Sequence, residues 1–278
     1  MTPLTQTYTP TLMQKLLGRN YKWLYIVIHS LVSETGGKIG FLSGYFATVV
    51  RIVSTSYIWF LAGADSNLFA YLLIGNLYSK ITSNVYYYRL SSAIYSGKIS
   101  SKLMYPLSFF QIEYFQAIGI RLTKNIFSLG GVFIGILICS LTFIKLNNPS
   151  WSALLVALTF PIAFTINHFL GILIGSLSFW IKNEFDYEGF RESYEAVFYV
   201  AIGVVIPLNK FPEVIASVLQ FLPTSFLLHH PMQIYLGKYS ALETLYVFIG
   251  GIAWCVILYF LAKWIFKMGL KRNEAVGL

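Results

Sequence analysis

The chain has 278 residues, 56% of them hydrophobic and only 11% charged, with a formal net charge of +9. A soluble globular domain carries about 25% charged residues, so an ordinary water-soluble enzyme or binding module is excluded. The positive charge does not form a nucleic-acid footprint either. With both termini placed in the cytoplasm, every Lys and Arg except Lys145, Lys210, Lys238 and Arg51 falls on the cytoplasmic side, the bias that orients membrane proteins beside anionic headgroups.

Apolar stretches run at 39–61, 68–86, 126–144, 153–178, 194–206 and 244–265. About 20 apolar residues match the thickness of the bilayer core. The expected fold class is therefore all-α, a polytopic membrane protein with six transmembrane helices forming one domain over 1–278. Trp59, Trp151, Trp180 and Trp264 stand near span ends, where an aromatic ring with one polar edge prefers the headgroup level. Cys139 and Cys255 lie inside spans and supply neither metal-ligand spacing nor a disulfide framework.

Residues 1–20 lack the short apolar core and the cleavage site of a secretory signal. Residues 12–35 mix Leu16, Leu17, Trp23, Leu24, Ile26, Val27 and Ile28 with Lys15, Arg19, Lys22 and His29, which predicts an interfacial helix on the cytoplasmic surface. Thr35-Gly36-Gly37-Lys38 ends it and turns the chain into the first span. Asp65-Ser66-Asn67 and Asn147-Asn148-Pro149-Ser150 read as external turns. The cytoplasmic region 87–125 carries Arg89, Lys98, Lys102, Arg121 and Lys124, with Ile94, Tyr95, Ile99, Leu103, Met104 and Tyr105 between them. Such a segment suits a partner or a membrane better than bulk water. The link 182–195 is mixed in charge, and the tail from Lys267 is basic.

Residues 207–240 fall outside the cell yet are largely apolar, and Pro207, Pro212, Pro223 and Pro231 divide them. Neither half can span alone. Two short helices that enter the outer leaflet and return are expected, with the broken backbone satisfied by protein. Pro207 would start the first helix and Pro223 would separate the pair.

The chain contains no phosphate-cradling loop. Gly37-Lys38 would need a glycine at position 32, which is Val32. If ATP drives this protein, another chain binds it, together with Mg, and no cofactor belongs here. No H-E-x-x-H or G-x-S-x-G occurs. His168, beside Asn167 in the fourth span, reads as a hydrogen-bonded packing residue ahead of a ligand. His229-His230 lack the further ligands a metal site needs. Arg51 sits near the middle of the first span, where a charge costs several kcal/mol unless paired or hydrated. Either it meets a polar substrate in a cavity or it makes a structural contact. Arg51, Asn167 and His168 are the candidates for a substrate pathway.

Ile94-Tyr95-Ser96-Gly97-Lys98-Ile99 with Leu103-Met104-Tyr105-Pro106-Leu107-Ser108 resembles the cytoplasmic loop of small six-span ABC-2 type permeases. Gly203-Val204-Val205-Ile206-Pro207-Leu208, Phe211-Pro212, Leu222-Pro223, Pro231 and Leu236-Gly237 resemble that family's external region. Gly269-Leu270-Lys271-Arg272 with Ala275-Val276-Gly277 is similar to its basic tail. The resemblance implies a half-transporter that pairs with a second copy or a related permease and binds two copies of an ABC ATPase subunit. It implies coupling to that ATPase through Gly97, Ile99, Leu103, Met104 and Pro106, with the N-terminal surface helix beside them. It further implies an external gate built on Pro207, Phe211, Pro212, Pro223 and Pro231, and export of a drug or an amphipathic, lipid-like substrate from the inner (cytoplasmic) membrane. A membrane-embedded lipid-modifying enzyme and a non-transport scaffold subunit are the alternatives. The enzyme reading lacks a catalytic constellation.

Overall fold

The computed structural model describes residues 21–33, 65–82, 86–123, 150–204 and 206–275, with single positions between 46 and 63. Most of the first predicted span, all of the third, Arg51 and residues 12–20 lie outside the described residues. The described residues form helices and no strand. In chain order these are α1 (Tyr21–Ser33), α2 (Ser66–Thr82), α3 (Tyr86–Tyr95), α4 (Ile99–Leu103), α5 (109–123), α6 (Ser150–Ser176), α7 (Glu184–Ala201), α8 (Glu213–Phe221), α9 (His229–Tyr235) and α10 (Ala241–Ala275). Short 3-10 turns occupy Leu177–Phe179, Leu208–Lys210 and Pro223–Leu227.

Among the described residues, two segments are long and apolar enough to cross a membrane, Trp151–Phe179 and Ala241–Arg272. The first is the axis of the molecule. Ala163, Ile166, His168, Ile172 and Ser176 are wholly buried along it, and α10, α3, α9 and α2 all pack on it. Helix α10 opens with a reciprocal cap. Ser240 N donates to Glu243 Oε2 at 2.7 Å and Glu243 N donates to Ser240 Oγ at 3.3 Å, which satisfies donors that a helix start leaves free. Its outer face leaves Leu245, Tyr246, Ile249, Ile252, Val256 and Phe260 exposed, an apolar surface suited to lipid or another helix.

The predicted fifth span, 194–206, overlaps helix α7 but does not share its bounds. Helix α7 begins at Glu184 and ends at Ala201. Asn183 Oδ1 accepts from Asp186 N at 2.8 Å, and Glu184 and Asp186 in the first turn complement the helix dipole. Gly203, at φ +82°, then breaks the chain direction. The acidic link thus becomes the first turns of the helix.

Helix α3 is seated by two glycines. A Cβ on Gly171 would lie 3.1 Å from Tyr86 Cβ, and one on Gly175 would lie 2.9 Å from Leu90 Cβ. Small residues four apart let membrane helices approach this closely. That contact carries the cytoplasmic loop on the axial helix.

Candidate functional site

Two regions stand out, at opposite ends of α6. The one predicted to be cytoplasmic begins where α3 turns through Ser96, Gly97 and Lys98 into α4. Gly97 adopts φ +71°, a region in which a side chain would be strained. Leu103 is 40% exposed and Met104 80%; Tyr105 and Pro106 continue the exposed apolar rim. Ile99 differs from the expectation that it faces a partner. It is 1% exposed and belongs to the core cluster, because the turn at Gly97 directs the first residue of α4 inward. Its place is that of an anchor under the loop.

A buried ion pair braces this loop. Lys102 Nζ lies 2.7 Å from Glu113 Oε1 on α5. Helix α3 is joined to α7 by polar contacts. Tyr87 donates to Glu195 Oε1 at 2.8 Å, and Arg191 Nη1 reaches the same oxygen at 2.6 Å. Tyr95 donates to Ile181 O at 3.2 Å. Burial, reinforced by the Glu195 carboxylate, holds the Tyr87 hydroxyl far above the usual phenol range. These hydroxyls therefore act as fixed donors.

Helix α1 lies across α5. Trp23 stacks on Phe115 with ring centres 4.9 Å apart, and Thr123 Oγ1 donates to Leu31 O at 3.0 Å. A groove of about 640 Å³ between α1 and the loop is lined by Tyr25, His29, Tyr105, Leu107 and Ile112, among others. Tyr25, Ile28 and Val32 remain exposed on α1, as a surface-lying helix requires.

Asn167 and His168 are packed within the helical bundle. Asn167 Nδ2 donates to Thr82 O at 3.1 Å, at the end of α2. The His168 ring is fully buried, 4.9 Å from the ring of Tyr86 and 5.3 Å from that of Tyr114. The structure thus brings these two pathway candidates together as packing and hydrogen-bonding residues of the axis.

The region predicted to be external, 207–240, contains short helices, α8 and α9, with the Pro223–Leu227 turn between them. The position expected of Pro207 is corrected. Pro212 is the residue that caps α8, while Pro207 precedes the Leu208–Lys210 turn. Pro207 and Pro223 are buried, Phe211 is half-buried and Pro212 is exposed. Pro231 divides nothing. It lies buried in the first turn of α9, where its missing N–H costs no helical bond.

The break after α8 is closed by side chains. Ser225 Oγ donates to Gln220 O and Leu222 O, each at 2.7 Å. Trp254 Nε1 donates to Phe221 O at 3.2 Å. His230 Nε2 bonds Gln220 O at 3.0 Å, and His230 Nδ1 bonds Tyr239 Oη at 2.9 Å. The Gln220, Phe221 and Leu222 carbonyls, at a helix end that leaves such groups free, are thus satisfied by side chains. Burial pulls His230 below its usual range, and burial with neighbouring His230 and Lys238 pulls His229 down to about 3, so both rings are neutral. Val214, Ile215, Val218 and Phe221 nonetheless remain exposed on α8.

Sequence reasoning missed Glu113, Tyr87, Glu195 and the glycine pair. Glu113 is the sole acid between residues 87 and 125, and Gly171 and Gly175 have the small-residue spacing of membrane helix contacts. Those two signals were readable.

A family model described as ABC-2 family transporter protein matches residues 40–277. No curated protein matches the chain.

Proposed function

The chain belongs to the ABC-2 family of transporter proteins and is a transmembrane permease, and from that premise we propose that it is the membrane subunit of an ATP-driven exporter. Six spans cross the inner membrane with both termini in the cytoplasm. Two copies of an ABC ATPase carry ATP and Mg, and a second permease copy, or a related permease, completes the pathway. The substrate is amphipathic or lipid-like and leaves by alternating access.

The observation that carries this reading is the exposed Leu103-Met104 edge on a loop held rigid by an internal ion pair. Burying a side chain such as Leu or Met yields roughly 1.5–3 kcal/mol, enough to seat the loop in a partner's cleft. Ile99 and Pro106 flank the seat, and Gly97 permits the turn. Closure of the ATPase pair moves α4. The motion passes to α5 through Lys102–Glu113, to α6 through the glycine seat of α3, and to α7 through Tyr87–Glu195. Helix α7 ends at Ala201, and the turn at Gly203 leads into the external segment. That segment, which carries Pro207, Phe211, Pro212, Pro223 and Pro231, is the gate. It dips into the outer leaflet with its carbonyls already satisfied, as backbone at membrane depth requires. Arg51, Asn167 and His168 line or support the path.

The test is reconstitution. The chain purified alone should hydrolyse no ATP. Its cognate ATPase should co-purify with it and show turnover in the complex. A chain that hydrolyses ATP alone, or that never retains the ATPase, removes the reading.

A further inference from the structure

At the external end of the molecule, α2, the Leu208–Lys210 turn and the end of α9 enclose a cavity of about 70 Å³. Two of the lysines assigned to the external side, Lys210 and Lys238, line it, with Asn209, Gln233, Tyr71 and Asp65. Lys238 is held there by backbone geometry. Gly237 N donates to Ile234 O and Lys238 N donates to Gln233 O, each at 3.0 Å, and Gly237 takes φ +66°; together these form the helix-ending motif that needs a glycine. Lys210 is fixed likewise, its N–H donating to Pro207 O at 2.9 Å.

The polar groups of this cavity are mostly donors. Gln233 is 5% exposed, and its Nε2 finds no acceptor among the described residues. Neither lysine has an ion pair among the described residues. Part of the acceptor side is already engaged. Asp65 Oδ1 accepts from Leu68 N at 2.9 Å, and Tyr71 gives its proton to Gly203 O at 3.1 Å. Two ammonium groups and a buried amide N–H₂ against one engaged carboxylate call for an anion. A water needs only about 10–15 Å³ of such space, so the cavity has room for a phosphate or carboxylate group.

We propose that this cavity is an external binding site for a single phosphate or carboxylate group, held by Lys210, Lys238 and the Gln233 amide. The group belongs either to the head of an amphiphile or to a free anion. The ligand joins the Leu208–Lys210 turn to the end of α9, so its binding ties these two parts of the external segment together. The inference deepens the export reading by giving the external end a preference for anionic heads, but the site itself requires no ATPase.

The experiment is calorimetric titration of the full-length chain in detergent at fixed salt. The probes are inorganic phosphate and dihexanoyl phosphatidic acid, with dihexanoyl phosphatidylcholine as the control. Hydrogen bonds to charged groups predict a loss of roughly tenfold or more in affinity per lysine removed. K210A/K238A should therefore bind roughly 100-fold more weakly, and Gln233→Glu should weaken binding more than Gln233→Leu. Lys210→Gln and Lys238→Gln, at exposed positions, keep the test valid if the double variant misfolds. Binding of both probes identifies a free oxyanion as sufficient; binding of the phosphatidic acid alone identifies a lipid head. Either outcome supports the site. Absence of binding by both probes, or affinities that change less than about threefold in the lysine variants, overturns it. Because ATP turnover plays no part, this failure is distinct from failure of the export reading.

Discussion

Lys102 Nζ lies 2.7 Å from Glu113 Oε1, and the Glu113 side chain is only 1% exposed. The pair joins α4 to α5 immediately beneath the exposed edge of the cytoplasmic loop. Removing one partner of a buried pair leaves an uncompensated charge and costs about 3–5 kcal/mol, whereas replacing both with apolar residues is often neutral. Lys102→Ala should therefore lower the thermal midpoint of the detergent-purified chain sharply, and K102M/E113L should recover most of it. Equal midpoints for Lys102→Ala and the unaltered chain would show that the pair does not brace the loop.

Changing Leu103 and Met104 together to Asp should leave the chain folded, because both side chains are exposed. Against a partner, the same change buries charge without compensation. Co-purification of the ATPase should fall at least tenfold, while the thermal midpoint stays within about 3 °C, the usual range for surface changes. Normal retention of the ATPase by the double variant would place the coupling contact elsewhere.

Cysteines at Val218 and Phe221 test the membrane depth of α8. Both side chains are exposed on the protein. In intact cells, a membrane-impermeant thiol reagent should label them slowly if lipid covers them, and should label a cysteine at exposed Lys238 fast. Phe226, buried in the protein core, should stay protected in detergent as well. Fast labelling at Val218 and Phe221 in cells would mark α8 as an ordinary external helix.

The external histidines set a pH dependence of known sign. His229 is held neutral, with its pKa pulled from 6.5 down to about 3. Between those values the unfolded chain binds more protons than the folded one, so stability is full above about pH 6.5 and falls on acidification toward 3. The loss approaches about 1.4 kcal/mol per pH unit for one such group. Thermal midpoints measured from pH 7.5 to 5 should decline, and His229→Gln should flatten that decline. A flat profile in the unaltered chain would contradict the buried neutral ring.

Arg51 lies in the first predicted span. If it faces the path, Arg51→Leu should leave the assembled complex intact and alter substrate-stimulated ATP turnover. A loss of assembly with unchanged turnover in the surviving complexes would assign it a structural contact instead.

Composition alone determined the class of this protein. A chain with 11% charged residues and a mean hydropathy of +0.66 cannot be solvated as a soluble domain. Apolar runs at 153–178 and 244–265 sit within the long membrane helices α6 and α10, because a run of that length has only one satisfied backbone state in lipid. Local chemistry also marked the exposed Leu103-Met104 edge and the break at Pro223, since each depends on residues within a few positions, whereas Gly97 was marked by the resemblance. Tertiary structure decided the rest. Whether Ile99 meets a partner or the core depends on the direction α4 takes after Gly97. Lys102 reads as one more basic loop residue until α5 brings Glu113 against it. The seat of Tyr86 and Leu90 on Gly171 and Gly175, the link from Tyr87 to Glu195, and the closure of α8 by His230 and Trp254 join residues that are distant in sequence or separated by a chain break. Such contacts follow from the packing of helices rather than from periodicity, and the same packing brings Lys210, Lys238 and Gln233 to one cavity.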